Sequence, residues 1–599
     1  MANDMGKKLP ELLVGFQDFQ QFIDEKAPFV DKTALISDLI RLRGGTYFLS
    51  RPRRFGKTLL LDTIQSIFEG RKELFESLDI VKKDLWHDWE PLPVIFLSFN
   101  QYPVEPSAIE ERLLTDLNDI IRNHDLPMSE ATQVSDIALI IRRLSERQTA
   151  ESQVAGFKPN KTKQKKSAPK NVVLLVDEYD DPLLVNLGND AAIIEIRRLL
   201  HSFYKSIKGC YKLLRFTLIT GITKFAQHSL FSGLNNIKDI SLKAKYSTIC
   251  GFTKKEIKRN YGAYISTALK KMKKKKRLKP DATGKAVIGK ISEWYDGYSW
   301  DGKHRVLNPF SVTSFFDEMH FGYYWYESGS PLSTGLLTLK DDTYFKIFSK
   351  SFRIGDTLPM LDVHNLKDEA ALFQAGYLTI NAVDDSADVL QYILKVPNAE
   401  ISYAIVKEFI EKRGMLQDPS ETIDAKYGKF IEAFDSRDDD ECSSIFSSCI
   451  GEIVSHLHVH AELAPHVMMY AMLNIKGHRA WMEENKGGGR IELVYAPPSG
   501  DVTIIELKFR KAEKGITEEE KQEILNNGVS MAFNQAAEKR YALSYFYHTE
   551  KVYVCAASVY GSSDAKIRFK RQVFIDGTIR DMPQDAPAVQ SDPSESGGS

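Results

Sequence analysis

Three groups of residues in this sequence have the types and spacing that phosphate chemistry needs. Gly56-Lys57-Thr58 opens a helical pattern directly after the apolar run 46–50 and the basic loop Arg51-Pro52-Arg53-Arg54-Phe55. A helix N-terminus behind a tight loop offers free N–H groups to a phosphate. A lysine there reaches the β- and γ-phosphates, and a threonine hydroxyl can hold Mg²⁺. The full pattern G-x-x-x-x-G-K-[ST] has Arg51 in place of its first glycine, and taken alone the triplet also fits a solvated helix start. The second group, Asp177-Glu178, closes the apolar run 172–176. Asp177 can hold magnesium through water, and Glu178 can polarise an attacking water as hydrolytic base. Alone, this acidic stretch fits an exposed loop. A GKT helix followed by a strand-terminal Asp-Glu, with strands between, is far more specific, and it predicts binding of ATP with Mg²⁺ and its hydrolysis. Thr220, at the end of RFTLITG, is placed to sense the γ-phosphate, although an ordinary strand end explains it more simply. Arg51, Arg53 and Arg54 either neutralise the nucleotide or act across an interface in a homo-oligomer; a solvated basic loop is the plain alternative.

The third group lies near the C-terminus. Glu492, in RIELVY, is followed after the turn signal APPSGD by Glu506-Leu507-Lys508, so the two runs read as a hairpin. Strand side chains alternate between faces, so Glu506 and Lys508 share one, and Glu492 can join them from the neighbouring strand. Two carboxylates and a lysine suit a divalent metal that activates water against a phosphodiester, with Lys508 stabilising developing charge. The same spacing also fits the solvated outer face of an amphipathic hairpin.

The elements that must position these residues follow from the patterning. TYFLS (46–50), VIFLSF (94–99), NVVLLVDE (171–178) and RFTLITG (215–221) are near-continuous apolar runs, as in strands buried on both faces of a parallel sheet, and helical patterns such as 59–68 and 192–207 separate them. The expected class is α/β. Residues 251–400 read as mostly helical with one short strand at 376–380, and 401–480 as helices. Strands return from Gly487, with a helix over 518–541. The 599 residues carry 80 Lys+Arg against 81 Asp+Glu, which excludes a uniformly basic nucleic-acid coat but leaves room for local basic patches. Eight of the ten residues 270–279 are Lys or Arg, a block that fits a nucleic-acid contact, a nuclear-import address or a plain solvated loop. Five scattered cysteines with no paired spacing argue for a reducing compartment and against a Cys-based zinc site. His458, His460 and His466 lack a zinc-binding spacing. With no leader-like N-terminus and no long apolar run, the expectation is an intracellular, cytoplasmic protein without a membrane span.

Several stretches together resemble the AAA-ATPase-like family: PFVDKTALISDLI, LSRPRRFGKTLLLDTIQSIFEG, LLVDEYDDPLL, LITGITKFAQHSLFSGLNNIKDISL, GFTKKEI, WYDGYSW, LNPFSV, LFQAGYLTI and VPNAE. The resemblance runs from about residue 30 to 550. It implies a P-loop NTPase parallel sheet with Arg51, Arg54, Phe55, Gly56, Lys57, Thr58, Asp177 and Thr220 at the nucleotide, and a helical lid beginning at GFTKKEI with a winged-helix-like middle region. It also implies a C-terminal α/β restriction-endonuclease-like domain of the PD-(D/E)XK type. There, Glu492 and Glu506 would hold Mg²⁺ or Mn²⁺, with Lys508 and Gln535 completing the site, although the family's first acid is usually Asp. Glu462, Glu483 and Glu484 are equal candidates for a further ligand. The implied domains are 1–250 (ATPase, with a Lys-rich loop at 156–170), 251–400 (lid and middle), 401–460 (helical connector), 461–582 (nuclease-like) and 583–599 (disordered tail). The function implied is an ATPase coupled to cleavage of nucleic acid, DNA first. Its alternative is an ATP-dependent switch or scaffold whose nuclease-like domain only binds nucleic acid or protein.

Overall fold

The computed structural model describes residues 9–154, 170–224, 237–328, 347, 352–355, 358, 368–386, 388–412, 423–456, 464–474, 479–481, 493–496, 501–545, 551–561, 563–575 and 578–582. They belong to two compact units. One comprises Met1–Leu339 with Ser351–Ile401, the other Lys340–Lys350 with Ser402–Ser599.

The four apolar runs of the first unit form β1 (Gly45–Ser50), β2 (Val94–Ser98), β3 (Val172–Asp177) and β4 (Leu214–Gly221). A two-residue β5 (Lys238–Asp239), too short to show in the sequence, completes a five-stranded parallel sheet of order β2-β3-β4-β1-β5. Every residue of β3 and β4 is buried, which is why both read as unbroken apolar runs rather than alternating ones. Helix Lys57–Phe68 follows β1, and helix Asp190–Lys208 follows β3.

Residues 254–318 fold as helices Lys254–Asn260, Gly262–Lys274, Gly284–Tyr295 and Pro309–Glu318 around a shared core that includes Ile257, Tyr261, Val287, Ile291 and Phe316. A three-stranded sheet follows where one short strand was expected: β6 (Phe352–Ile354), β7 (Thr379–Asp384) and β8 (Gln391–Lys395), in the order β6-β8-β7. The polar turn between β7 and β8 hides their pairing from the pattern.

The second unit contains a six-stranded sheet of order β14-β13-β12-β11-β10-β9. Its strands are β9 (Arg479–Trp481), β10 (Leu493–Ala496), β11 (Val502–Arg510), β12 (Val552–Tyr560), β13 (Asp564–Ile575) and β14 (Thr578–Met582). β10 and β11 are antiparallel, as the hairpin reading requires, and β11 pairs with β12 in parallel. Helix Glu518–Glu538 connects those two parallel strands and packs Ala536 with Val494, Ile504 and Val554. Gly528 brings this helix close to β12, since a Cβ there would stand 2.2 Å from the Ser558 hydroxyl. The opposite face takes helix Ile423–Ser436, whose Phe434 ring meets Tyr495 at 5.3 Å and Phe569 at 4.9 Å. Because Val494 and Tyr495 point to opposite faces, the sheet is sandwiched between helices. Helix Asp439–His456 runs beside β13. Its side chains at 439, 443 and 447 accept the outward N–H groups of Phe569, Ile567 and Ala565, at 2.9, 2.8 and 2.9 Å. Among the described residues, no helix is long and apolar enough to cross a membrane.

One buried carboxyl in the first unit has a measurable consequence. Glu400 is wholly buried and accepts the Trp325 backbone N–H (2.7 Å) and the Ser311 hydroxyl (2.9 Å). Burial outweighs these bonds and pushes its pKa from the ordinary 4.5 to about 8. The fold therefore holds a proton that the unfolded chain releases, and stability falls as pH rises through that window. Glu400→Gln should remove this component. Between pH 5 and pH 8 the melting temperature of the variant should gain on wild type by the equivalent of on the order of 4 kcal/mol, measured by thermal unfolding across pH.

Candidate nucleotide-binding site and a second polar cluster

The loop between β1 and helix Lys57–Phe68 ends in Gly56, whose φ of 86° is the left-handed region that glycine enters without strain. Gly56 has no side chain with which to cap the helix, so the first-turn N–H groups remain available for an anion. Lys57 is buried and folds back, its Nζ donating to the carbonyls of Arg51 (3.0 Å) and Pro52 (3.1 Å). Thr58 donates its hydroxyl to Asp177 Oδ2 at 2.5 Å. Thr220, one strand nearer, donates to Asp177 Oδ1 at 2.5 Å, and the Glu178 N–H adds a bond of 3.0 Å to the same oxygen. The sheet order explains this convergence: β4 lies between β1 and β3, so its terminal hydroxyl stands between the two strands that carry the chemistry.

Glu178 has a φ of 48°, and its Oε2 is buried without a hydrogen-bond partner. Burial raises its carboxyl above the ordinary range, opposed first by the nearby Lys57 charge. A carboxyl so tuned is suited to accept a proton.

The rest of the acidic stretch is buried as well. Asp180 is fully buried and accepts Ile222 N–H (3.1 Å), Thr223 N–H (2.6 Å) and the Thr223 hydroxyl (2.5 Å), holding the end of β4. Asp181 pairs with Arg53 at 3.0 Å, which ties the basic loop to the end of β3. Spacing did not single out Asp180 or Asp181; the signal available was their position directly after a fully apolar strand.

Arg51 was expected at the nucleotide, but its guanidinium lies beneath the loop. It donates to the carbonyls of Ser50 (2.8 Å), Ser241 (2.8 Å) and Tyr246 (3.2 Å), and stands 4.0 Å over the Trp300 ring. Complete burial lowers its pKa to about 10. Phe55, also buried, meets Tyr298 and Trp300 edge-on, so WYDGYSW forms the wall behind the loop. Arg54, with a φ of 64°, is the exposed member and covers the Phe310 ring.

A cavity of about 530 Å³ opens beside the loop, walled by Gly56, Lys57, Thr58 and Glu178 together with apolar side chains such as Phe29 and Phe252. Lys32 and Cys250 also line it. Lys32 is paired with Glu256 at 2.7 Å, and Glu256 in turn closes a capping box with Thr253, so GFTKKEI is fastened to the early segment PFVDK. A phosphate site continuous with an apolar cavity suits a nucleotide.

In the second unit, Lys508 Nζ donates to Glu506 Oε1 (2.9 Å) and Gln535 Oε1 (2.6 Å), joining β11 to helix Glu518–Glu538. Glu506 is fully buried, while the Lys508 side chain keeps 22% of its exposure. Tyr541 is buried beside this helix. Glu492, Glu462, Glu483, Glu484, His458 and His460 lie outside the described residues, as do the loop 156–170, apart from Lys170, and the tail 583–599. Among the described residues, no three His, Cys, Asp or Glu side chains cluster as a metal site.

Residues 13–231 match a family described as predicted AAA-ATPase. A protein of Azotobacter chroococcum mcd 1, described as an uncharacterized protein in the vnfD 5′ region, is 32% identical over 400 residues, covering 67% of this chain and 69% of that protein.

The two arginines of the loop should separate in a stability measurement. Arg51→Ala leaves three carbonyls, those of Ser241 and Tyr246 buried, without their charged donor and should cost about 3 kcal/mol or more in denaturant unfolding. Arg54→Ala should cost about 1 kcal/mol or less.

Proposed function

This chain belongs to the predicted AAA-ATPase family, and on that premise we propose that its first unit binds ATP with Mg²⁺ beside Gly56-Lys57-Thr58 and hydrolyses it. The observation that carries the reading is the convergence of Thr58, from the uncapped helix N-terminus after β1, with Asp177 and Thr220 from the ends of the adjacent strands β3 and β4. The first-turn N–H groups would take phosphate oxygens, and Lys57 would exchange its two loop carbonyls for them. Thr58 and Asp177 would hold Mg²⁺, which supplies charge neutralisation to the phosphates. Glu178 would take the proton of a water attacking the γ-phosphorus as the bond to the β–γ bridging oxygen breaks, leaving ADP and phosphate. The apolar part of the cavity would receive the base.

For the second unit we propose metal-dependent cleavage of a nucleic-acid phosphodiester, DNA before RNA. The support is the contact of Glu506, Lys508 and Gln535 on a helix-covered sheet whose antiparallel hairpin leads into a parallel crossover. In this reading Glu492 and Glu506 hold Mg²⁺ or Mn²⁺, and Lys508 stabilises charge on the phosphate. The complete burial of Glu506 and its engagement by Lys508 favour a second reading, in which this unit only binds nucleic acid or protein and the chain is an ATP-dependent switch or scaffold.

Two assays on the full chain decide. Lys57→Ala should lower ATP turnover by at least about 100-fold; unchanged turnover would remove the assignment of the first site. Plasmid nicking with Mg²⁺ or Mn²⁺, with and without ATP, should be abolished in Glu506→Ala and altered in Lys57→Ala. ATP turnover without nicking under either metal would leave the switch reading standing.

A further inference from the structure

The helix Gly262–Lys274 and the turn after it carry far more charge than the fold uses, since among these lysines only Lys271 reaches a described backbone acceptor, the Glu318 carbonyl. Eight of the ten residues 270–279 are Lys or Arg, in a chain whose net charge is −1. The helix is anchored by the opposite face, where Tyr264, Ile265, Ala268 and Met272 are buried in the four-helix core. Lysines spaced three and four apart along it repel one another, each such pair costing about 0.2–0.5 kcal/mol. One or two cations would satisfy the helix dipole. The residue that turns the chain out of the helix is Lys276, at a φ of 54°, where glycine would be the unstrained choice. Carboxylates near the block are few: Asp317 and Glu318 stand exposed at the end of helix Pro309–Glu318, where Lys271 Nζ donates to the Glu318 carbonyl at 3.4 Å. Glu256 is engaged by Lys32 and Asp296 by Lys254, which leaves Asp281 and Glu293 as the other acids between 254 and 296. Helix Lys254–Asn260, with Lys255, Lys258 and Arg259 exposed, packs against the same bundle and adds to the field.

We propose that this face of the helical bundle, centred on residues 270–279, binds the phosphodiester backbone of a nucleic acid without reading its sequence. The block has no aromatic side chain to stack on bases, so backbone charge is the chemistry on offer. Insertion of this helix into a membrane is disfavoured, because its apolar face is already buried in the protein. The surface lies in the first unit and depends on neither the ATP site nor the Glu506–Lys508 cluster.

The test uses the full chain and a variant combining Lys270→Ala, Lys273→Ala, Lys274→Ala and Lys275→Ala; alanine is the stronger helix former, so the bundle is retained. Affinity for labelled random-sequence duplexes of about 30 base pairs, one DNA and one RNA, is measured by fluorescence anisotropy between about 50 and 200 mM salt. Wild type should bind with a steep salt dependence. In the variant the slope of log K against log salt should fall by about 3–4, with affinity at the low-salt end down by at least about 100-fold. Tighter binding of DNA or of RNA identifies the source of the backbone, and either supports the site. An unchanged slope, or tighter binding to phosphatidylserine vesicles than to both duplexes, overturns it. ATP turnover of the variant should match wild type, so a failure here is separable from a failure of the ATPase assignment.

Discussion

The first unit is organised around one buried carboxylate. Asp177 is 1% exposed, and a carboxyl group at such depth is tolerated only when hydrogen-bond partners replace its water. Those partners come from three places in the chain: Thr58 after β1, Thr220 on β4 and the N–H of Glu178. A slip of one residue in β3 or β4 would turn Asp177 or Thr220 to the other face and break this contact. Asp177 therefore ties the register of those two strands to the start of the helix that carries Thr58. Arg51 does the corresponding work beneath that loop, holding carbonyls of 50, 241 and 246 from a single buried cation.

Much of this was legible because buried parallel strands announce themselves. The apolar runs at 46–50, 94–99, 171–178 and 215–221 became β1 to β4 within a residue or two; Asp177 closes β3, and Lys57 and Thr58 open the helix after β1. What stayed hidden has a common cause: pattern gives the type of a residue and the face it occupies, but not the direction of a long side chain. Arg51 and Arg54 look alike in the sequence, yet one is sealed under Trp300 and the other lies exposed over Phe310. The acidic stretch after β3 reads equally well as a solvated loop until its buried contacts with Thr223 and Arg53 are seen. Glu400 gives no local sign of its isolation, because the residues that bury it come from 311 and 325.

In the second unit the E-x-K spacing did place Glu506 and Lys508 on one face, and Gln535 reaches Lys508 from the following helix. β13 and β14 went unread. Their stretches, AKIRFKRQ and TIRDM, are dense in charge, and such composition reads as solvent-facing in a window of local sequence. They are strands because β13 folds back on β12 and β14 on β13 as hairpins, and because a helix distant in the chain, Asp439–His456, takes up N–H groups on the outer edge of β13.

Asp439, Ser443 and Ser447 extend that point. They recur every four helical residues, a rise of about 6 Å, while the N–H groups they receive recur every second residue of β13, about 6.6 Å apart. The helix thus acts as a counterfeit strand, its side-chain oxygens standing where a neighbouring backbone's carbonyls would be. A sheet margin sealed in this way offers no template to another chain. Its protection depends on the helix remaining docked, so fraying of residues 439–447 would turn a closed border into an adhesive one. The solubility of the folded protein and its tendency to polymerise when partly unfolded would then be governed by the same three side chains.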